Sequence, residues 1–335
     1  FLEALAKEQN LNSQETLNNQ KLVIHVNEEV TEEVFKDFRD NDFYGFNPEN
    51  IFFIIQPVFA GFSLNQEGIK YEPSSTKMPY GHGYCTMQLT QANQAFSLDS
   101  KGNKHQISET ILDYLLKQDI KVIGTHRVND LTKFLPSEVA NIEKIAFGIY
   151  QIEQGKNIVV ELVENPGKQK GGNFLSDKQA NKKFLIETSN TKGSTDLTSL
   201  LDEAAKVGAP YNAFRLAYNP ITLPELLKEG LPYNLKFKNG YFYLEAVTGD
   251  ITQLPQSNVE AFKKIDELIH DFKEPKNLPE AVKYLEQSDK ELAGEIKISD
   301  HCYSATMPTS DQSDRVPTQE ELVIIKTSFD GKDVL

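Results

Sequence analysis

Residues 78–84 read Met-Pro-Tyr-Gly-His-Gly-Tyr, and the interpretation of the whole sequence depends on this stretch. Gly81 and Gly83 flank His82 and follow a proline. Glycine has no Cβ, so the backbone at these positions can come close to a flat or charged ligand. The stretch therefore predicts a nucleotide-binding turn. Taken alone, Pro-x-Gly-x-Gly is also the pattern of an ordinary turn, and the choice between the two depends on the surrounding elements.

The residues before the turn predict a sheet. An apolar run of strand length lies at 21–26, helical spacing follows at 31–38, and an uninterrupted apolar run at 51–55 ends in Gln56. An uninterrupted apolar run is typical of a strand that is covered on both faces. Strand, helix, strand order predicts an α/β fold with a parallel sheet and right-handed crossovers. His25 lies in the first strand and is predicted to be a core histidine whose hydrogen bonds are satisfied.

Polar residues crowd one end of a further predicted strand. A helix predicted at 107–116 leads into an apolar run at 120–125, which is followed by polar residues as far as Asp130. In open α/β sheets, ligands bind at the carboxyl ends of the strands. A ligand is therefore expected at this edge, in one pocket bounded by Gln56 and Asn129.

The downstream pattern is mixed. Strands are predicted at 144–150, 158–163, 183–187 and 321–326, and helices at 197–207, 222–230, 259–272 and 281–285. The strongest local signal is Asn239-Gly240, which joins two strand-like runs at 235–245 and predicts a hairpin. The basic, glycine-rich segment 165–173 fits a long hairpin connection slightly better than a loop that contacts a phosphate or a sugar.

Composition excludes several classes of function. The 335 residues are 25% charged and 39% hydrophobic with a net charge of −14, which predicts a globular protein without a membrane span. The negative charge argues against nucleic acid, whose partners present a basic face. Two cysteines, Cys85 and Cys302, provide no disulfide framework and no zinc spacing. With no secretory signal pattern at the start of the chain, a cytoplasmic location is expected.

Together these motifs resemble the UDP-sugar and UDP-glucose pyrophosphorylases. The likeness comprises Gln56 at a strand end, the Pro-Tyr-Gly-His-Gly turn, a helix, and a strand ending Val-Asn-Asp-Leu at 128–131. It continues in register through Gly171-Gly172, residues 183–187 and residues 237–255, so it covers most of the chain. The resemblance implies a single nucleotidyltransferase-like domain over 1–335, with the α/β nucleotide-diphospho-sugar transferase (Rossmann-like) fold and a mixed, mostly parallel sheet.

The resemblance also implies a reaction. In it, an oxygen of a sugar 1-phosphate attacks the α-phosphorus of UTP, and pyrophosphate leaves, while Mg²⁺ and cationic groups neutralise charge. Transfers of this type depend on positioning and electrostatics. The expected partners are therefore UTP or a UDP-sugar and a sugar 1-phosphate.

Site residues carry over by matching position. Gln56 would hydrogen-bond the uracil edge, for which an amide offers both a donor and an acceptor. Gly81, His82 and Gly83 would pack against the base and ribose. Asn129 and Asp130 would face the phosphates as catalytic residues, with Asp130 as the metal ligand. The expected sugar-binding residues are Gly172, Glu187, Asn212 and Glu245; for Glu187 and Glu245 an exposed strand carboxylate is an equal alternative.

Three departures fall on the phosphate side. The relatives carry a glycine-rich loop with a following Pro-Lys near the start of the domain, and this loop has no counterpart here. Separately from the phosphate side, their C-terminal β-helix has no counterpart either. Arg127 or Asn129 stands at the acidic strand-end position, and Met307 stands where a phosphate-binding lysine is expected. One interpretation is a piece of an enzyme whose loop lies upstream of Phe1, so that this chain alone would be poorly active. The other is a catalytically degenerate protein that binds a nucleotide sugar or a partner on the same scaffold.

Overall fold

A computed structural model describes residues 6–7, 9–65, 68–125, 130–132, 142–163, 172–177, 180–187, 211–212, 215–263 and 269–271, with the single positions 279, 283 and 286. The chain divides into two compact units. The first unit is Gln14–Ile120 with Pro220–Leu254, and the second is Phe1–Ser13, Lys121–Asn219 and Pro255–Leu335. That both belong to a single nucleotidyltransferase-like domain stays a prediction.

Helices and strands alternate irregularly along the chain. The helices are α1 (Ser13–Asn19), α2 (Thr31–Asp40), α3 (His82–Gln88), α4 (Ile111–Leu116), α5 (Ile142–Glu153) and α6 (Leu223–Leu226). The strands are β1 (Leu22–Asn27), β2 (Ile51–Gln56), β3 (Val58–Phe59), β4 (Phe62–Asn65), β5 (Gly68–Tyr71), β6 (Met78–Pro79), β7 (Ala95–Leu98), β8 (Lys104–Gln106), β9 (Ile123–Thr125), β10 (Asp130–Thr132), β11 (Ile158–Leu162), β12 (Gly172–Asp177), β13 (Lys182–Glu187), β14 (Tyr211–Asn212), β15 (Leu216–Tyr218), β16 (Tyr233–Lys238), β17 (Tyr241–Ala246), β18 (Val259–Lys263) and β19 (Ile269–Asp271).

The first unit is built on a four-stranded sheet in the order β1-β2-β7-β8. β1 and β2 are parallel, as the sequence predicts, and their register brings Asn27 beside Gln56 at the carboxyl ends. Helix α2 covers this sheet with Phe35, whose ring lies edge-on to Phe53 at 4.9 Å. Phe35 and Phe53 are buried in the same apolar cluster. Burial of such rings is the main stabilising term for the sheet.

The expected mostly parallel sheet is wrong for the part of the chain that the structure describes. Two of its strand pairs are parallel, β1 with β2 and β11 with β18, and the other pairs are antiparallel. β7, which the sequence did not predict, pairs antiparallel with β2. The helix before it, α3, has seven residues, about 10 Å at 1.5 Å per residue. A helix this short does not return the chain to the amino end of a strand roughly 20 Å long. The fold is therefore mixed α/β with small sheets.

A second sheet of the first unit has the order β16-β17-β4-β5. β16 and β17 form the hairpin that Asn239-Gly240 predicts, and this prediction is confirmed. Both turn residues have positive φ, 52° for Asn239 and 85° for Gly240, as expected of a turn that matches the strand twist. Because the hairpin pairs with β4 through Phe242 and Phe62, residues late in the chain complete a sheet that begins early in it.

The second unit contains a sheet in the order β18-β11-β15-β9 and a smaller one in the order β13-β12-β14. Helix α5 occupies the region of the strand predicted at 144–150, so that prediction is wrong. Ala146, Phe147 and Tyr150 are buried. Tyr150 follows Phe147 by three residues and Ala146 by four, which places all three on one face of a helix. The helix predicted at 259–272 is also wrong, because Val259–Lys263 is a strand parallel to β11.

Other predictions of elements differ in their bounds. The helix predicted at 107–116 begins at Ile111, where Thr110 caps it, and the helix predicted at 222–230 is the short α6. The hairpin connection predicted at 165–173 is wrong in its endpoint, since Gly172 and Asn173 already belong to β12, which pairs with β13. The predicted elements at 197–207 and 321–326, and most of 281–285, lie outside the described residues.

His25 departs from the expectation of a satisfied core histidine. Its Nε2 is buried with no hydrogen-bond partner among the described residues. Burial lowers the pKa of His25 to about 4, and a hydrogen bond with the backbone of Cys85 offsets part of that effect. The folded protein thus holds this ring neutral.

None of the helices in the described ranges has the length and apolar character required to cross a bilayer.

Candidate functional site

Gln56 and the glycine turn are joined directly in the first unit. The side-chain Nε2 of Gln56, at the carboxyl end of β2, donates a hydrogen bond to the backbone carbonyl of Gly81 over 2.8 Å. The two residues are 25 positions apart in sequence. Because an amide can make further hydrogen bonds through its oxygen, this contact orients Gln56 while leaving an acceptor for the edge of a flat ring.

The backbone at Gly81 requires glycine. Its φ of 86° and ψ of 169° lie in a region that residues with a side chain rarely adopt. A Cβ built at Gly81 would lie 2.4 Å from Cγ of Glu245 and 2.5 Å from the carbonyl oxygen of Ala246. The Ala246 N–H also donates to the carbonyl of Tyr80 at 2.7 Å. Strand β17 therefore packs tightly along the turn.

Gly83 lies against the backbone at the end of β17. A Cβ at this position would lie 2.7 Å from the carbonyl carbon of Ala246 and 2.8 Å from the nitrogen of Val247. The sequence analysis attributed this glycine to the close approach of a ligand. Packing of α3 against the β17 backbone already requires a glycine here, whatever else the residue does.

The ring of His82 is held in one orientation. Its Nδ1 lies 3.1 Å from the backbone nitrogen of Thr248, which donates to it, and 2.9 Å from the hydroxyl of the same residue. A ring nitrogen that accepts from a backbone N–H carries no proton, so the neutral ring has its proton on Nε2. Thr248 is fully buried. The sequence analysis did not single out Thr248, which lies 166 residues from His82.

Aromatic residues form a wall beside the turn. The Tyr80 ring stacks on Phe59 with centroids 3.7 Å apart and lies 5.6 Å from Tyr233. Burial raises the pKa of the Tyr80 hydroxyl. A cavity of about 160 Å³ opens here, and it is lined by Phe59, Ala60, Phe62, Tyr71, Met78, Tyr80, Tyr243 and Leu244. The hairpin predicted at 235–245 is rich in aromatic residues, which is a sequence signal for this wall. The sequence did not predict that the wall lies against the turn.

Three of the four predicted sugar-binding residues form one row in the second unit. Gly172 of β12 is paired with Glu187 of β13 on one side and with Asn212 of β14 on the other. The side chain of Glu187 lies outside the described part of the structure. Glu245 stands apart from this row, because it belongs to the first unit beside Gly81.

The buried Asn212 is tied to the backbone around it. Its Nδ2 donates to the carbonyls of Glu161 and Arg215, each at 2.7 Å. Glu161 and Arg215 form a buried ion pair at 2.9 Å, and Lys144 lies 2.8 Å from the other oxygen of the Glu161 carboxylate. The side-chain NH2 of Asn212 thus serves the fold. The sequence analysis missed Glu161 and Arg215.

The predicted phosphate side is only partly described. Asn129 lies outside the described residues, and Asp130 begins β10, which pairs antiparallel with β19, but its side chain is not described. Among the described residues, no group of three or more His, Cys, Asp and Glu side chains is placed to hold a metal ion.

Comparison with solved structures assigns the fold. A UDP-glucose phosphorylase from Trypanosoma brucei matches with a TM-score of 0.52 and 16% identity over 78% of this chain. The uridine diphosphate N-acetylglucosamine pyrophosphorylase of the same organism, in complex with an inhibitor, matches with a TM-score of 0.52 and 15% identity over 79% of this chain. A candidate UDP-N-acetylglucosamine pyrophosphorylase from Entamoeba histolytica matches with a TM-score of 0.50 and 17% identity over 78% of this chain.

These likenesses are of fold, since the identities are low. This chain covers 52% of each of the two trypanosomal proteins and 64% of the amoebal one. No family model matches the sequence, and no curated protein matches it. The fold is nevertheless similar to that of these UDP-sugar pyrophosphorylases, which agrees with the resemblance in the sequence.

Proposed function

We propose that this chain is the nucleotide-sugar-binding body of a UTP:sugar-1-phosphate uridylyltransferase. The observation that carries the proposal is the hydrogen bond from the Gln56 amide to the Gly81 carbonyl. It fixes an amide beside a turn of two glycines, on a scaffold whose solved neighbours are UDP-sugar pyrophosphorylases.

The proposed roles are those that the sequence resemblance implies. Gln56 pairs with the uracil edge through its side-chain oxygen, and Gly81, His82 and Gly83 shape the surface against which the nucleoside packs. Gly172, Glu187 and Asn212 are the residues that we assign to the sugar, because carboxylates and amides can accept hydrogen bonds from sugar hydroxyls.

The proposed reaction forms one bond and breaks one. An oxygen of the sugar 1-phosphate bonds to the α-phosphorus of UTP as the bond from that phosphorus to the leaving pyrophosphate breaks. Asn129 and Asp130 are the residues we assign to the phosphates. When bound, Mg²⁺ would neutralise charge on the phosphate oxygens, and Asp130 supplies the kind of oxygen ligand that this ion prefers.

The reverse reaction tests the proposal. The full chain is incubated with Mg²⁺, pyrophosphate and UDP-glucose or UDP-N-acetylglucosamine, and UTP is measured; binding of the same UDP-sugars is measured by calorimetry. UTP formation that Gln56→Ala reduces at least tenfold supports the proposal. Binding without UTP formation favours the alternative, a catalytically degenerate protein on this scaffold. Absence of binding to any uridine nucleotide overturns both.

A further inference from the structure

Glu245 is held against the turn by the backbone on either side of it. Its Cγ lies in the space that a side chain at Gly81 would enter, 2.4 Å from the position of a Cβ there. The next residue, Ala246, donates its N–H to the carbonyl of Tyr80 at 2.7 Å. Glu245 therefore lies directly beside Gly81.

The carboxylate of Glu245 has no partner in the described part of the structure. No hydrogen bond or ion pair to it is formed there, whereas the neighbouring polar groups are used: Gln56 bonds to Gly81 and His82 bonds to Thr248. The residue is half-buried. An ionised carboxylate accepts hydrogen bonds, so a donor that arrives with a ligand at this turn could bind to it.

Two side chains beside the turn, those of Gln56 and Glu245, differ in the hydrogen bonds that they can make. The Gln56 amide can satisfy a base edge, which presents both donors and acceptors, while an ionised carboxylate only accepts. A ribose presents two neighbouring hydroxyls, which can both donate. Acidic side chains in other nucleotide sites bind ribose hydroxyls in this way.

We propose that Glu245 accepts hydrogen bonds from the ribose hydroxyls of the nucleotide and so selects ribonucleotides at this turn. The inference rests on the proposed function, because it uses the same uridine site. It reassigns Glu245, which the sequence resemblance placed on the sugar, because the residue lies beside Gly81 in the same unit as Gln56.

Binding measurements with paired nucleotides test this role. Calorimetry on the full chain compares uridine 5′-monophosphate with its 2′,3′-dideoxy analogue, for the unaltered protein and for Glu245→Gln and Glu245→Ala. The unaltered protein should prefer the ribonucleotide by about tenfold or more, as expected for hydrogen bonds to a charged group. Both variants should lose most of this preference through weaker binding of the ribonucleotide, with the dideoxy analogue affected less than threefold.

A control and the opposing outcomes separate the two proposals. Glu225→Gln removes a carboxylate of the same unit whose side chain is 79% exposed, and it should leave both affinities unchanged. If the Glu245 variants weaken both nucleotides equally, or keep the preference for the ribonucleotide, the ribose role is overturned and the uridine site stands. If neither nucleotide binds the unaltered protein, the proposed function fails as well.

Discussion

The side-chain amide of Gln56 donates a hydrogen bond to the backbone carbonyl of Gly81 over 2.8 Å. This contact joins the end of a buried strand to a turn whose conformation requires glycine. It places the two sequence features that first suggested a nucleotide within one local structure.

Replacing Gln56 by alanine should separate binding from stability. The variant loses one half-buried hydrogen bond, which should cost about 1 kcal/mol of unfolding free energy, but it should weaken UDP-sugar binding at least tenfold. Calorimetry and urea unfolding measure the two effects. Gln106→Ala is the matched control, because that amide also donates to a backbone carbonyl, of Ala95, at 2.8 Å. Equal losses of affinity in the two variants would show that Gln56 has no special part in binding.

Alanine at Gly83 should impair folding. The added Cβ would meet the β17 backbone at 2.7 Å, and overpacking against backbone costs roughly 1–3 kcal/mol or more. Urea unfolding of Gly83→Ala measures the loss. Gly148→Ala is the control: a Cβ there meets Ala217 only at 3.8 Å, and alanine is favoured over glycine inside a helix by about 1 kcal/mol. An unchanged unfolding midpoint for Gly83→Ala would contradict the packing described for α3 and β17.

His25 should make the protein less stable in mild acid. Its pKa is about 4 in the folded state and 6.5 in the absence of burial. Between pH 6.5 and 4, the unfolded chain therefore binds a proton at His25 that the folded protein does not bind. As far as His25 is concerned, the free energy of unfolding is therefore at its full value above pH 6.5 and falls as the pH drops from 6.5 toward 4. The total loss is up to a few kcal/mol.

Urea unfolding at pH 7.0, 6.0 and 5.0 checks this dependence. His25→Leu, which cannot be protonated, should lose less stability than the unaltered protein between pH 7 and 5. The pKa of the Asp99 carboxyl is held near 2, mainly by hydrogen bonds from Asn103, so its titration lies below this window. Identical pH profiles for the two proteins would exclude His25 as the cause.

Removing Arg215 should strongly destabilise the second unit. Arg215→Met leaves the buried Glu161 carboxylate with Lys144 alone among its described ion-pair partners, and breaking a buried pair costs about 3–5 kcal/mol. Lys228→Met breaks an exposed pair with Glu225 at 3.7 Å and should cost less than about 0.5 kcal/mol. Urea unfolding compares the two variants, and similar small losses would argue against the structural role of Arg215.

Local signals predicted local structure well. The apolar run at 51–55 is β2, the amphipathic segment at 31–38 is α2, and Asn239-Gly240 is a hairpin turn. Each depends on residues close together in sequence. The run at 144–150 was misjudged because a short apolar stretch fits a buried strand or a buried helix equally well.

The candidate site residues stay a prediction from the sequence, and the contacts among them could not be predicted from it. Gly172, Glu187 and Asn212 were chosen by resemblance, and strand pairing brings them into one row. The contacts from Gln56 to Gly81, from His82 to Thr248 and from Glu245 to Gly81 join distant segments. These contacts follow from tertiary packing, which cannot be predicted from short stretches of neighbouring residues.

The distance in sequence between the turn and its supporting strand has a consequence for biosynthesis. Tyr80 and Gly81 are translated early, while Ala246, which bonds to Tyr80 and crowds Gly81, emerges from the ribosome only after residues 121–219 of the second unit. During this interval the nascent chain carries β4 and β5 without the hairpin that pairs with them. The turn at Gly81 can thus take its final form only after Ala246 has been made, although its own residues are made early.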